Sequence, residues 1–251
     1  MTAAAHKKRA AADFYDGYHR ASDQDGPEHP IRRKTHRLFL AWLRELDPAP
    51  GGRLLDLSCG LGYFLRAARA YDPSLRLEGL DHSAYAVRKA QALVPQAKVR
   101  RGDAMKQPYP DARFDAVACV GSLEHYPDPV RGLAEIHRVL KPGGKAFIYV
   151  PNLFFLGYIL LVWRSGETPH EAGQNEYERF ETRQGWEELL KRQGFRITKV
   201  TKHNEMYATT RVPLLLRWIY AWFVEPWVPL NLSYCFGFHV VKDAPAAARP
   251  R

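Results

Sequence analysis

The chain has 251 residues, 46% of them apolar, and a net charge of +10. That length and apolar share exclude a disordered chain and suit one large domain, or one domain with an elaborated lobe. The positive charge suits nucleic acid, anionic lipid or an acidic substrate, and equally a solvated basic surface.

From the N-terminus, Met1 to Arg9 carries charges with no apolar core after them, so no secretory signal is read and a cytoplasmic location is expected. Residues 1–12, rich in Ala and Lys, are expected to fray, and Pro245 to Arg251 likewise. Asp13 to Asp47 reads as a helical cap broken at Gly26-Pro27, its later apolar face built from residues such as Leu38, Trp42 and Leu46. Strands are expected at Arg53–Leu57, Leu75–Leu80, Lys98–Arg101, Phe114–Gly121 and Lys145–Val150. Helices are expected at Gly62–Tyr71, Ala84–Val94 and Val130–Leu140, and Pro142-Gly143-Gly144 reads as a turn. Such alternation at short spacing argues for a doubly wound, mostly parallel sheet.

The last third differs in character. The apolar run Leu153 to Trp163 is followed by a polar loop, Ser165 to Glu176, then an expected helix Arg183–Gln193 and strand Phe195–Lys202. A second apolar segment, Val212 to Leu232, precedes a closing strand at Ser233–Val241. A membrane span needs about 20 largely apolar residues. The first run is too short and the second is interrupted by Arg217, Glu225 and three prolines, so neither is expected to cross. Packing on the sheet, lining an apolar pocket, or lying on the inner membrane face are the readings left open. Cys59, Cys119 and Cys235 have no disulfide or metal-site spacing.

Candidate chemistry gathers at the carboxyl ends of the expected strands, where open parallel sheets bind ligands. The strand Leu54-Leu55-Asp56-Leu57 runs into Ser58-Cys59-Gly60-Leu61-Gly62 and a helix, a turn that offers backbone N–H groups to a ligand. Asp81, followed by His82, lies 21 residues after Gly60, the spacing of a carboxylate that takes both hydroxyls of a ribose. Asp103 and Ala104 follow the next strand, with Asp103 suited to accept from an exocyclic adenine amine. Cys119 and Val120 end the fourth, before Glu124-His125. A dinucleotide fold wants a third glycine where Leu65 stands, and gives Asp103 no role.

With the further segments Leu123-Glu124-His125-Tyr126-Pro127-Asp128-Pro129 and Leu140-Lys141-Pro142-Gly143-Gly144, residues 51–151 resemble the class I S-adenosylmethionine-dependent methyltransferases. The similarity is to the small-molecule group related to the quinone biosynthesis enzymes. The resemblance implies a Rossmann-like, mostly parallel seven-stranded sheet with a helical N-terminal cap and an apolar insertion in the last third. It divides the chain into a tail and cap (1–50), a cofactor core (51–151), substrate elements with the last two strands (152–242) and a flexible tail (243–251).

By the same resemblance, Asp56 and the backbone of Ser58, Cys59, Gly60 and Gly62 hold the methionine moiety of S-adenosylmethionine. Asp81 with His82 holds the ribose, Asp103 and Ala104 the adenine, and Cys119 and Val120 the amino group. Ser58 replaces the usual first glycine, and an ordinary backbone conformation is expected there. His125 is the candidate base, against a purely loop-ordering role, with Tyr18 beside it; Tyr15, Tyr158, Tyr177 and Trp222 are candidate substrate contacts. Glu124-His125 is similar to the pair in metal-assisted quinone O-methyltransferases, which carry a further Glu three residues earlier. That position is Gly121, so no metal is expected. The expected acceptor is a hydrophobic small molecule, such as a natural product, isoprenoid, quinone precursor or lipid, with peripheral membrane contact open. Nucleic acid is the weaker alternative: the Asn/Asp-Pro-Pro-aromatic motif of exocyclic-amine methyltransferases is replaced by Gly121-Ser122-Leu123-Glu124.

Overall fold

Five strands run parallel: β1 (Arg53–Leu57), β2 (Arg76–Asp81), β3 (Lys98–Arg101), β4 (Phe114–Val120) and β5 (Leu140–Pro151). β6 (Phe195–His203) and β7 (Cys235–Lys242) complete one seven-stranded sheet in the order β3-β2-β1-β4-β5-β7-β6, with β7 antiparallel to both neighbours. The order reverses between β1 and β4, which opens a crevice at their carboxyl ends. The computed structural model describes residues 3–23, 30–166, 179–204 and 227–243.

Seven helices flank the sheet among the described residues: α1 (Ala3–Ser22), α2 (Pro30–Leu46), α3 (Tyr63–Tyr71), α4 (Ala84–Leu93), α5 (Pro129–Val139), α6 (Leu156–Ser165) and α7 (Arg183–Arg192). Period-2 alternation sends β4 side chains to opposite faces. Ala116 and Ala118 join the core under α2, α3 and α4, while Val117 and Cys119 join the core under α5 and α7. Trp42 of α2 fills the first layer, its ring 4.9 Å from those of Phe147 and Tyr149. In the second layer, Trp186 of α7 is buried and its indole N–H donates to the Pro151 carbonyl at 2.9 Å. The N-termini of α4, α5 and α7 are capped by Ser83, Asp128 and Thr182, whose side chains accept from Ala86, Arg131 and Gly185 N–H.

The expected α/β class and doubly wound sheet are what the structure has. Its elements differ from expectation chiefly in two places. α1 begins at Ala3, so most of the stretch expected to fray is helix, in keeping with the high helix propensity of its alanines and lysines. β5 begins at Leu140: Leu140 pairs with Phe114, and the Pro142-Gly143-Gly144 turn is absorbed as an irregularity in the β4–β5 ladder. The first apolar run gathers into α6, and no helix among the described residues is long and apolar enough to cross a membrane. Most of the polar loop after Ser165 and of the second apolar segment lies outside the described residues, as do Pro245 to Arg251.

α3 and α4 meet at Gly62, which has φ +83 and whose added Cβ would lie 2.8 Å from the Ala90 Cβ and 2.9 Å from its Cα. Gly62→Ala therefore combines a left-handed penalty with backbone crowding. It is expected to destabilise the fold by roughly 2–4 kcal/mol, read as a lower midpoint in urea.

Candidate functional site

β1 is buried from Leu54 to Leu57, on both faces of the sheet, so its carboxyl end carries Asp56 into the interior beside the crevice. The chain then turns through Ser58 (φ 58), Gly60 (φ 49) and Gly62 (φ 83), three left-handed residues within five positions, before α3 begins. Ser58 is the correction: the sequence reading expects an ordinary conformation there, and the structure has a left-handed one. For a residue with a Cβ this costs about 1–2 kcal/mol.

The turn is fastened to β2. Cys59 N–H donates to the Leu80 carbonyl at 3.0 Å, and Gly60 N–H donates to Asp81 Oδ2 at 2.8 Å. The other oxygen of Asp81 accepts from Ser83 N–H at 2.8 Å, so one buried carboxylate ties the β1–α3 turn to the start of α4. Asp56 is buried alongside, and its Oδ2 has no hydrogen-bond partner. Burial, reinforced by the Asp81 charge, pushes the Asp56 carboxyl well above the usual carboxylate range. A buried acceptor of this kind suits a cationic or N–H-bearing ligand.

α1 lies across this edge. The His19 ring stands 3.1 Å from where a Cβ on Gly60 would be. Burial lowers the affinity of His19 for a proton, and Asp81 and Asp16 partly offset that. Asp16 accepts from the Ser83 hydroxyl and, at 3.2 Å, from Tyr85 N–H; the hydrogen bond to Ser83 is the main reason its carboxyl stays below the usual range. Asp23 takes the Tyr85 hydroxyl at 2.7 Å and pairs with Lys89 at 2.7 Å. The cap is thus latched to α4 by polar contacts. Tyr15 is half-buried on it and Tyr18 exposed. His82 is half-buried, its carbonyl accepting from the Arg101 guanidinium at 3.0 Å.

After β3, Asp103 turns the chain by accepting from Met105 N–H at 2.9 Å, with Ala104 packed against the core. At the end of β4, Cys119 is fully buried and Val120 partly so. Burial pushes the Cys119 thiol up to about 12 and that of Cys59 well above its usual range, which removes both as nucleophiles. A 3-10 turn, Leu123–His125, follows. His125 Nε2 lies 3.9 Å from Glu124 Oε1, and its buried Nδ1 has no hydrogen-bond partner. Burial lowers the His125 pKa, keeping the ring neutral and able to accept a proton. Among the described residues no three His, Cys, Asp or Glu side chains gather into a metal site.

Two residues of the site escape the sequence reading. Tyr126 brings its hydroxyl 2.8 Å from Ser58 Oγ and 3.7 Å from Cys119 Sγ, joining the ends of β1 and β4. Asn152, fully buried beyond β5, donates to the Asn231 and Ser233 carbonyls at 2.9 and 2.7 Å and accepts from Phe154 N–H. Neither belongs to a repeated spacing, though Asn directly after a buried strand is a signal of a side chain that organises a turn. Tyr158 packs edge-on against Phe155 and Phe180, with Tyr234 beside them. Arg179 N–H donates to the Glu124 carbonyl at 2.9 Å, so this aromatic group adjoins the β4 end. Tyr177 and Trp222 lie outside the described residues.

The unpartnered Asp56 carboxylate works against the ligand-free fold. Its folded pKa is raised, so stability falls as pH rises from the unfolded carboxylate pKa towards the folded one. Asp56→Asn is expected to raise the melting temperature of the ligand-free protein by about 2–4 °C for each kcal/mol relieved and to flatten that pH slope. Melting curves from pH 4 to 9 would check both.

Residues 55–148 match a family described as a methyltransferase domain. Over 118 residues the chain is 35% identical to a demethylmenaquinone methyltransferase of Lysinibacillus sphaericus, covering 44% of this chain and 50% of the relative. Over 150 residues it is 33% identical to cycloartenol-C-24-methyltransferase 1 of Oryza sativa, covering 55% and 43%. The chain spans about half the length of the curated relatives it matches. Among solved structures, a Haloferax volcanii methyltransferase in complex with the Trm112 activator aligns with TM-score 0.68 at 21% identity, covering 91% of this chain and 97% of that one. The cyclase SpnF aligns with TM-score 0.61 at 20% identity, covering 88% and 86%. These two show the fold alone. The strand order, the turn after β1 and the sequence match coincide on one stretch, and the core of this chain belongs to the class I S-adenosylmethionine-dependent methyltransferases.

Proposed function

We propose that the whole chain transfers a methyl group from S-adenosylmethionine to a hydrophobic small molecule. The observation that carries the reading is the buried Asp56 oxygen without a partner, beside a turn fixed with its backbone at the crevice mouth. Both features fit the methionine end of the cofactor, whose ammonium would satisfy Asp56. In this assignment Ser58, Cys59, Gly60 and Gly62 contribute backbone to that end. Asp81 and His82 serve the ribose, Asp103 and Ala104 the adenine, and Cys119 and Val120 the amino group. The division into cap (1–50), core (51–151) and acceptor elements (152–242) goes with it.

Bound, S-adenosylmethionine supplies an electrophilic methyl on a sulfonium. The protein has to align the acceptor, exclude water and, for an acidic O–H or C–H, take a proton. His125 is the proposed base, and Tyr15 and Tyr18 on α1 close the cofactor side. The apolar acceptor is supported by the Phe155, Tyr158, Phe180 and Tyr234 rings, with Tyr177 and Trp222 assigned to the same task from the sequence. A second reading, peripheral contact with lipid, is favoured by Trp163 and Trp227, which are 84% and 82% exposed. The fold also carries a cyclase, so methyl transfer has to be measured and not inferred from architecture.

S-adenosylhomocysteine is expected to raise the melting temperature of the full chain and NADH to leave it unchanged; the reverse pattern would reject the cofactor. Asp56→Asn should weaken S-adenosylhomocysteine by roughly ten- to a hundredfold, the range for a lost hydrogen bond to a charged group. With an acceptor in hand, His125→Ala should lower kcat about a hundredfold or more. Because burial lowers the His125 pKa, the acid limb of the wild-type profile should fall below about pH 6.5. Unchanged turnover in His125→Ala would remove it as base. Co-sedimentation with anionic vesicles at low salt tests the lipid contact, which absence of binding would dismiss.

A further inference from the structure

We propose that Tyr126 is a positioning residue for the cofactor turn: its hydroxyl holds Ser58 in the left-handed conformation that sets the Ser58–Gly62 backbone. The inference rests on the cofactor reading above and adds what makes that turn possible in this sequence. Of the three left-handed residues in the turn, two are glycines; Ser58 alone carries a Cβ and needs an outside interaction to stay there. That interaction is the hydrogen bond between Ser58 Oγ and Tyr126 Oη, 2.8 Å apart.

Tyr126 is itself held from several sides. Its N–H donates to the Leu123 carbonyl at 3.2 Å, its hydroxyl also meets Cys119 Sγ at 3.7 Å, and its ring lies against α5. The ring fits because residue 132 is glycine: a Cβ there would come within 2.5 Å of Tyr126 Cδ2. The hydroxyl therefore stands on a rigid base and bridges the two strands that flank the crevice, β1 through Ser58 and β4 through Cys119. It also couples the turn to the loop that carries His125, the neighbouring residue on the proposed acceptor side.

The test is a double-mutant cycle read by S-adenosylhomocysteine titration calorimetry on the full chain, with melting temperature recorded beside it. Tyr126→Phe removes only the hydroxyl, and Ser58→Ala removes its partner while keeping the Cβ that strains the turn. Each is expected to weaken S-adenosylhomocysteine about three- to tenfold, as for the loss of one neutral hydrogen bond, and the pair together no more than either alone. In a Ser58→Gly background, where φ > 0 carries no penalty, Tyr126→Phe should change the affinity less than about twofold. A purely structural tyrosine would instead lower the melting temperature in every background and leave the affinity of the folded protein unchanged; that result overturns the proposal. Equal affinity losses from Tyr126→Phe in the wild-type and Ser58→Gly backgrounds overturn it as well. If the wild-type chain does not bind S-adenosylhomocysteine, the cofactor reading falls and this inference with it. Wild-type binding that Tyr126→Phe leaves intact removes the inference alone.

Discussion

Everything at the crevice depends on one buried carboxylate, that of Asp81. It receives Gly60 N–H on one oxygen and Ser83 N–H on the other. Those two bonds fix the turn after β1 relative to the start of α4, which in turn carries the latch for the cap through Ser83 and Tyr85. A charge-assisted bond to a backbone N–H is strong for its size, and here it acts beyond the strand ends, where the sheet reverses direction and no ladder supplies order. The proposed cofactor edge is thus built around a carboxylate that ties two backbone segments together.

Next to it, Asp56 shows the opposite arrangement. Asp81 is satisfied by the protein; Asp56 has one oxygen unsatisfied, and burial, with the Asp81 charge beside it, raises its pKa. Two carboxylates thus stand at adjacent strand ends, one bonded within the protein and one uncompensated; in the proposed reading the first shapes the turn and the second leaves an acceptor for the ligand.

The fold is legible in the sequence where chemistry follows from spacing. β1, β2, β4, the turn, Asp81 and the Glu124-His125 position come from apolar runs ending in polar residues at parallel-sheet intervals, and the short polar β3 from the alternation around it. It is illegible where a contact joins residues far apart without a periodic signature. An ordinary conformation is the local expectation for Ser58 because propensity knows nothing of Tyr126, which lies 68 residues away and supplies the compensating bond. The Pro-Gly-Gly segment reads as a turn because local preference does, yet pairing with β4 draws Leu140 into the ladder. The helix at Ala3 follows an alanine propensity that outweighs the fraying expected of a terminus. Asn152 carries only a weak cue, since its bonds reach residues 79 and 81 positions on as well as its own turn.

That asparagine has a wider meaning. It fastens the exit of β5 to the approach of β7, while Glu181 is bridged to Asn152 and Arg179 reaches the Glu124 loop. The chain therefore leaves the framework at Asn152 and meets it again at Glu181 and at Ser233. In the proposed reading the acceptor elements hang from these posts, apart from the edge that the core holds by its own geometry. A transplanted segment that respects the posts should inherit the crevice intact, which makes this fold a natural chassis for altered specificity.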